Sequence, residues 1–165
     1  VSGDGMIADA GGDMPAGLRS EADWHRFQAA LDAAALVVVG RMGHETHPNP
    51  GRRRLVVTGR IAGLAPDSSD PRATFWNPAA MAFGDVLEEL DIDGPVAVTG
   101  GTRIFDLFLP LYTRFDLVTV AGLRIPGGRP CFSAGPPGVV LARAGLIASA
   151  AEELEPGVSL TVWRR

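Results

Sequence analysis

The segment VAVTGGTR at residues 96–103 shows the pattern that decides the fold of this chain. A short apolar run rich in valine is followed by glycine and then by arginine. The same order occurs in LVVVGR at residues 36–41 and in LVVTGR at residues 55–60. Apolar runs without polar interruption are typical of strands that are covered on both faces, as in a parallel sheet. The three segments therefore predict three parallel strands with similar ends.

Helical patterns alternate with these strands. Ser20 is a favourable N-cap residue, and apolar side chains recur after it at helical spacing, which predicts a helix that ends near Asp32. Residues 78–90 and 102–109 are also predicted as helices, and residues 63–71 as a loop. Alternating strands and helices predict the α/β class with a doubly wound sheet.

The pattern changes after Pro110. The sequence there predicts strands at residues 115–121, 139–149 and 158–163, the last two joined at residues 155–157 as a hairpin. The expected sheet is therefore mixed and mostly parallel, with an antiparallel C-terminal hairpin.

Composition excludes several classes of protein. The chain has 165 residues and a net charge of −4, and this acidic balance argues against a dedicated nucleic-acid-binding protein. All 15 basic residues are arginine, so neither a Schiff-base lysine nor a P-loop lysine is present. Cys131, the single cysteine, can form neither an internal disulfide nor a cysteine zinc cluster. We expect one domain over residues 1–165 in a reducing, cytoplasmic setting.

Neither a membrane span nor a metal site is expected. The apolar runs, such as residues 33–39, are too short to cross a bilayer. His44, Glu45 and His47 resemble a metal-binding cluster only superficially, because no third, distant histidine pairs obviously with them. A surface position is the expected interpretation of these side chains.

The arginines that follow the three strands are candidates for phosphate binding. The C-terminal ends of parallel strands share one edge of a sheet, where ligands bind, and glycine there lets backbone N–H groups approach an anion. Arg41, Arg60 and Arg103 would converge on this edge and favour NADPH over NADH, because arginine makes bidentate contacts to the additional phosphate. The alternative is that the Gly-Arg pairs only end the strands and that the arginines are solvated.

Two segments resemble a known family. TGGTRIFDLFLP at residues 99–110 resembles the glycine-pair segment of dihydrofolate reductases, and VSGDGMIA at residues 1–8 resembles the end of the first strand in that superfamily. The second segment has the S-x-D-G-x-I-A form of the reductase domain of the riboflavin-pathway deaminase-reductase. The resemblance implies a dihydrofolate-reductase-like, three-layer α/β/α fold. It also places Val1 within the first strand, so we expect that a few native residues precede it.

The same resemblance implies an NADPH site. The pair Gly100-Gly101 matches one that the family joins by a cis peptide. Two residues after its Gly-Arg step the family commonly has threonine, whereas this chain has Gly43, whose backbone N–H could still contact a phosphate. Ile7 and Ala8 match residues that line the nicotinamide. The other matched cofactor positions are Gly40, Arg41, Thr58, Gly59, Gly101, Thr102, Arg103 and Ile104.

Asp23 is the candidate catalytic residue. It lies four residues before Phe27, so both side chains share one helical face and could flank a flat heterocycle. Members of the family that reduce folate use an acidic residue here to orient the pterin and to assist its protonation. The alternative is that Asp23, three residues after Ser20, only satisfies the N-terminus of the helix.

Three further features are candidates for the substrate site. Arg52 matches the position where folate-reducing members hold the glutamate carboxylate of the substrate; the alternative is a solvated arginine within the cluster at residues 52–54. Asp4 could contact substrate or only form an Asp-Gly turn. Residues 11–18 could form a mobile loop over the nicotinamide.

The sequence therefore predicts an NADPH-dependent oxidoreductase that transfers a hydride to a flat nitrogen heterocycle, a pyrimidine or a pteridine. The opening motif favours the riboflavin-pathway type, which acts on a 5-amino-6-ribosylaminouracil. Asp23, Phe27 and Arg52 favour a dihydrofolate reductase proper. Riboflavin-pathway reductases usually continue here with a threonine, an aspartate-proline pair and an arginine that help to hold the ribose phosphate. Residues 44–54 lack that pattern, which counts against the pathway substrate itself. A noncatalytic nucleotide- or flavin-binding module is the alternative from another class, and a homodimer is plausible by family analogy.

Overall fold

The computed structural model describes residues 1–47 and 51–165. It contains two compact units: Val1–Phe27 with Phe105–Arg165, here called the terminal unit, and Gln28–Ile104, here called the central unit. Over the described residues the strands are Met6–Ala8 (β1), Leu36–Gly40 (β2), Arg54–Val57 (β3), Leu64–Pro66 (β4), Ala73–Trp76 (β5), Val96–Val98 (β6), Arg114–Val120 (β7), Arg129–Pro130 (β8), Ile147–Ala148 (β9), Glu152–Glu155 (β10) and Val158–Arg164 (β11). The α-helices are Glu21–Asp32 (α1), Arg41–Thr46 (α2), Phe83–Glu89 (α3), Thr102–Phe108 (α4) and Pro137–Arg143 (α5). The assignment of one domain to the whole chain stays a prediction.

The central unit is built on a five-stranded sheet in the order β4, β5, β3, β2, β6. The last four are parallel to one another, and β4 runs antiparallel to β5. Val38, at the centre of β2, pairs with Leu55 in β3 and with Val98 in β6. Val38 and Leu55 are fully buried, as expected for β-branched and apolar residues in a covered sheet. The three predicted parallel strands are confirmed, and they are neighbours.

The terminal unit is built mainly on antiparallel strands. β11 pairs with β7 along its whole length and with β10 and β9 on its other side. The turn between β10 and β11 contains Gly157 at a φ of 78°, a conformation that glycine adopts without steric cost. Phe115 packs against Phe105, Tyr112 and Phe132, with ring centroids 5.3 to 5.5 Å apart. The predicted antiparallel C-terminal hairpin is confirmed, with β10 as its first strand.

The prediction of a strand at residues 139–149 is wrong. The first part of this segment belongs to α5, which buries Val140 and Leu141, and the strand in it is limited to Ile147–Ala148. Pro137 begins this helix, where its fixed φ is favourable and its missing N–H costs nothing. A short apolar run fits a buried helix as well as a strand, so its periodicity could not separate the two.

Two other sequence predictions also need correction. Residues 63–71, predicted as a loop, contain β4, and β5 follows as a strand that was not predicted. The helix predicted at residues 78–90 is shorter, because α3 covers only Phe83–Glu89. Asn77 closes a turn before α3: its carbonyl accepts the N–H of Ala80, and its side chain accepts the N–H of Ala79. An asparagine that bonds to the following backbone N–H groups favours a turn over a helix.

None of the helices in the described part of the chain is long and apolar enough to cross a membrane.

Candidate functional site

The three Gly-Arg segments end at one edge of the central sheet. β3, β2 and β6 are adjacent and parallel, so their C-terminal ends lie at the same edge. Arg41 is the first residue of α2, directly after β2, and Arg103 is the second residue of α4. Arg60 follows β3 by three residues. We call this set of residues, 40–43, 58–60 and 99–104, the strand-end edge.

Glycine leaves bare backbone at the strand-end edge. A Cβ atom added to Gly40 would lie 3.3 Å from Cγ1 of Ile104 and 3.9 Å from the carbonyl oxygen of Gly100. The end of β2 is therefore packed closely against the turn between β6 and α4. Gly100 has a φ of 88°, and the peptide bond to Gly101 is cis, as the resemblance implies.

The helix α2, which begins at this edge, has no side-chain cap. Gly40 is the N-cap of α2, and no side chain in the described residues bonds to the first-turn N–H groups. Gly43 lies in that turn, and a Cβ atom there would meet Cγ2 of Val39 at 3.0 Å. Glycine at this position therefore lets α2 lie close to β2. Uncapped N–H groups at a helix N-terminus are available to an anion.

The turn after β3 is shaped by Thr58. Its N–H donates to the carbonyl oxygen of Trp76 at 2.9 Å, and its Oγ1 accepts the N–H of Arg60 at 3.2 Å. Gly59 is exposed, and apart from its chain neighbours no atom of the described residues lies within 4 Å of the place of a Cβ atom there. The turn is thus fixed by Thr58 and open at Gly59.

The three arginines at the edge differ in their partners. Nη1 of Arg41 donates to Oε1 of Glu45 at 2.5 Å, one helical turn away. Arg60 and Arg103 are exposed, and within residues 1–47 and 51–165 neither guanidinium makes a hydrogen bond or ion pair. Two of the three cations are therefore available to a ligand.

The candidate catalytic residue, Asp23, lies in the first turn of α1. Its N–H donates to Oγ of Ser20 at 3.2 Å, and the N–H of Ala22 donates to Oε1 of Glu155 at 2.8 Å. Ser20 and Glu155 therefore satisfy these two donors of the first turn. In the part of the chain that the structure describes, the Asp23 carboxylate makes no hydrogen bond or ion pair. Other side chains thus perform the capping that was the alternative role of Asp23.

The surroundings of Asp23 change its acidity. Burial raises the pKa of the Asp23 carboxyl above its ordinary value, and the negative charges of Asp116 and Glu155 raise it further. The guanidinium of Arg26 acts in the opposite direction. A carboxyl that keeps its proton to a higher pH than usual is better suited to donate a proton than an ordinary aspartic acid.

Aromatic side chains lie on α1 beside Asp23. Phe27 is one turn further along the helix and 37% exposed, and Trp24 is 58% exposed. Their ring centroids are 6.1 Å apart, with the planes tilted by 38°. An exposed ring one turn from a carboxyl is suited to a flat polar heterocycle.

Arg52 is held within the central unit. Its Nε and Nη2 donate to Oδ1 of Asp32 at 2.9 and 2.6 Å, and Nη2 also donates to Oε1 of Gln28 at 2.9 Å. Its side chain is only 18% exposed, so the interpretation as a solvated arginine is wrong. Residues 48–50 lie outside the described residues. They belong to the segment at 44–54, and residue 50 is the proline of the Pro-Gly-Arg step.

The opening motif forms a turn followed by β1. The carboxylate of Asp4 accepts the Ser2 hydroxyl at 2.5 Å and the N–H of Ile125 at 3.1 and 3.2 Å. The bond from Ser2 is the main cause that holds the pKa of Asp4 below its ordinary value. These contacts agree with the turn interpretation of Asp4. Ile7 and Ala8 lie in β1, and Ala8 is buried.

The loop at residues 11–18 is fixed at its beginning. Oδ1 of Asp9 accepts the N–H groups of Gly12 and Asp13 at 2.8 and 3.0 Å. Nη2 of Arg129 donates to the carbonyl oxygen of Gly11 at 2.8 Å. A mobile role for this loop stays a prediction.

His44 takes part in a polar network, and its side chain is only 12% exposed, so the expected surface position is wrong for this residue. Its Nε2 lies 3.2 Å from Oδ2 of Asp67, and its Nδ1 lies 3.5 Å from Nη1 of Arg54. Arg54 is 1% exposed and forms an ion pair with Asp70. Among residues 1–47 and 51–165, no group of three or more His, Cys, Asp or Glu side chains could hold a metal ion. The contacts of His44 thus connect α2 to the segment before β5.

Glu155 is the residue of this site that sequence reasoning missed. In the sequence it belongs only to the predicted turn of the hairpin. Its contact with Ala22 joins residues 133 positions apart, and no local spacing indicates such a contact. The contact between Glu155 and Ala22 could be found only from the folded structure.

No family model matches this chain, and no curated protein matches its sequence. Solved structures match it over nearly its whole length. A protein of Shewanella sp. PV-4 assigned to riboflavin biosynthesis has a TM-score of 0.68 and 15% identity, and the match covers 100% of this chain and 94% of that one. Dihydrofolate reductase from Enterococcus faecalis, in complex with NADP(H) and RAB-propyl, has a TM-score of 0.67 and 16% identity, with 99% and 91% covered.

The third match is a diaminohydroxyphosphoribosylaminopyrimidine deaminase/5-amino-6-(5-phosphoribosylamino)uracil reductase from Thermotoga maritima. Its TM-score is 0.64 at 19% identity, and the match covers 99% of this chain but 54% of that one. This chain therefore spans about half the length of the Thermotoga protein. At these identities the likeness concerns the fold, and the chain has the dihydrofolate-reductase-like fold.

Proposed function

We propose that this protein is an NADPH-dependent reductase of a flat nitrogen heterocycle and that the strand-end edge binds the cofactor. The observation that carries the proposal is the strand-end edge itself. It combines bare glycine backbone with two exposed arginines, Arg60 and Arg103, that have no partner among the described residues. The fold supports the same conclusion, because a dihydrofolate reductase with this fold is known in complex with NADP(H).

The residues of the edge fit a dinucleotide that carries an additional phosphate. The close approach of Gly40 to the Ile104 side chain leaves little room for a side chain at this position, so the backbone there is open to a ligand. The uncapped first turn of α2 offers N–H donors to a phosphate. Arg60 and Arg103 add positive charge and bidentate donors, which favour NADPH over NADH. NADPH, when bound, supplies the hydride.

Asp23 is the group proposed to orient the heterocycle and to supply a proton. Its carboxyl makes no hydrogen bond within the described residues, so both oxygens can bind ring nitrogens. Because burial raises its pKa, the carboxyl keeps its proton at a higher pH than an ordinary aspartic acid. The exposed ring of Phe27 would pack on the face of the heterocycle.

Among such heterocycles, we propose a pyrimidine of the 5-amino-6-ribosylaminouracil type. Arg52, which would have to hold the glutamate carboxylate of a folate, already binds Asp32 and Gln28. The S-x-D-G-x-I-A opening also favours the riboflavin-pathway type. Dihydrofolate is the second candidate, and the juxtaposition of Asp23 and Phe27 on α1 is the observation that favours it.

The test is an assay of NADPH oxidation, followed by the absorbance of the reduced nicotinamide. Dihydrofolate and a 5-amino-6-ribosylaminouracil are added in separate reactions at several pH values. Oxidation with the uracil supports the proposal, and oxidation with dihydrofolate alone selects the second candidate. Cofactor binding without turnover of either compound favours a noncatalytic nucleotide-binding module.

A further inference from the structure

We propose that Glu155 is a positioning residue for Asp23: its carboxylate holds the first turn of α1, and its negative charge acts on the Asp23 carboxyl. The inference rests on the proposed function of Asp23. It assigns a role to the C-terminal hairpin, which contributes Glu155 as the last residue of β10.

The geometric basis is the contact between the hairpin and the helix. Oε1 of Glu155 accepts the N–H of Ala22 at 2.8 Å, immediately before Asp23 in the chain. Ser20 occupies the neighbouring donor, the N–H of Asp23, at 3.2 Å. Two side chains, one local and one distant, thus fix the backbone of the turn that carries Asp23. The direction of the Asp23 side chain follows from that backbone.

The electrostatic basis is the set of charges around Asp23. Burial is the main cause of its raised pKa. Asp116 and Glu155 act in the same direction, and Arg26 opposes them. Asp116 is neutralised in part, because Arg114 donates to both of its oxygens at 2.6 and 2.8 Å. Within the described residues Glu155 forms no ion pair. Its charge therefore acts on Asp23 without an ion-pair partner among these residues, in addition to the partly neutralised charge of Asp116.

One residue would thus have two separable effects. The hydrogen bond to Ala22 places the turn, and this effect needs an acceptor oxygen but no charge. The negative charge disfavours loss of the Asp23 proton, and this effect needs the carboxylate itself. Glu155→Gln keeps an acceptor oxygen and removes the charge, whereas Glu155→Ala removes both.

The experiment measures Asp23 directly, without substrate or cofactor. The carboxyl carbon of Asp23 is followed by NMR through a pH titration of the full chain, with Asp23→Asn identifying its signal. Hydrogen exchange of the Ala22 amide is measured in the same samples. Glu152→Gln is the matched control, because Glu152 is an exposed glutamate on the same strand.

In Glu155→Gln the titration of Asp23 is expected to shift to lower pH, with exchange at Ala22 unchanged. In Glu155→Ala the same shift is expected, with exchange at Ala22 faster by about tenfold, as for the loss of one hydrogen bond. Glu152→Gln is expected to change neither signal. An Asp23 titration in Glu155→Gln that equals that of the wild type overturns the proposal and leaves Glu155 a helix cap only.

The outcome is independent of whether the protein is a reductase. If the wild type binds no NADPH, the proposed function fails, while the coupling of Glu155 to Asp23 is still decided by the titration. If turnover is found, the part of the pH-rate profile that reports the ionisation of Asp23 should shift to lower pH in Glu155→Gln, as the NMR titration of Asp23 does. A profile that stays in place would contradict a role of Glu155 in the reaction.

Discussion

At the scale of single residues, substitution of Asp23 tests the chemical step separately from cofactor binding. Its carboxyl is half-buried in the terminal unit and makes no hydrogen bond in the described part of the chain, whereas the strand-end edge belongs to the central unit. Asp23→Asn is expected to lower turnover by about 100-fold, as for loss of a positioned acid, and to change the Kd of NADPH by less than about twofold. Steady-state kinetics and a binding titration measure the two quantities.

Glu21→Gln is the control for that substitution, because Glu21 is an exposed carboxylate on the same turn of α1. It should leave both turnover and NADPH affinity unchanged. Unchanged turnover in Asp23→Asn would contradict the catalytic role.

Asp23 also affects stability as a function of pH. Burial raises its pKa in the folded protein, so the folded state keeps this proton at pH values where the unfolded chain has released it. The stabilising contribution of the proton is complete below the unfolded pKa and is lost as pH rises through the folded pKa. The Tm of Asp23→Asn minus the Tm of the wild type should therefore increase as pH rises from the unfolded pKa of Asp23 through its folded pKa. Melting curves from acidic to neutral pH measure the difference, and a constant difference would contradict the raised pKa.

The arginines of the strand-end edge give a prediction of cofactor choice. Arg60 and Arg103 are exposed, whereas Arg41 is paired with Glu45. Arg60→Gln and Arg103→Gln are each expected to weaken NADPH by about tenfold and to change NADH little, since NADH lacks the phosphate that they would bind. Arg143→Gln, an exposed arginine on α5, is the matched control. Equal losses for both nucleotides would contradict the assigned role.

At the scale of elements, a buried arginine in an ion pair joins β3 to the segment before β5. Arg54 is 1% exposed and binds Asp70, with His44 of α2 beside it. Asp70→Asn leaves the buried guanidinium without its anion, and Tm is expected to fall by about 5 °C or more. Arg54→Met leaves Asp70 without its partner, but this carboxylate can remain hydrated. Its Tm is therefore expected to fall less than that of Asp70→Asn. Calorimetry of the two variants decides the order, and a larger loss in Arg54→Met would contradict the argument.

The elements that the sequence predicted are those with a strong local signal. β2, β3 and β6 follow from apolar runs that end in glycine, and α1 follows from Ser20 and the helical spacing after it. β4 and β5 have no such signal, because both are short, β4 lies within a segment rich in turn-forming residues, and β5 follows that segment. The strand predicted at residues 139–149 failed because a short apolar run does not distinguish a buried helix from a strand.

At the scale of the whole molecule, the sequence predicted the class of the fold and the common edge of three strands, and the structure agrees with both. The resemblance, rather than any local pattern, supplied the cis bond at Gly100-Gly101. The role of Glu155 was not predictable, because its contact with Ala22 spans 133 positions. Contacts of this kind depend on how the chain folds, so local spacing carries no information about them.

The most direct test of the central claim is a titration of the wild-type protein with NADPH and with NADH, followed by the fluorescence of Trp24, Trp76 and Trp163. Saturable binding of both is expected, with NADPH tighter by about tenfold or more because of Arg60 and Arg103. Equal affinities would contradict the role of the arginines. Absence of binding by either nucleotide would contradict the cofactor site itself.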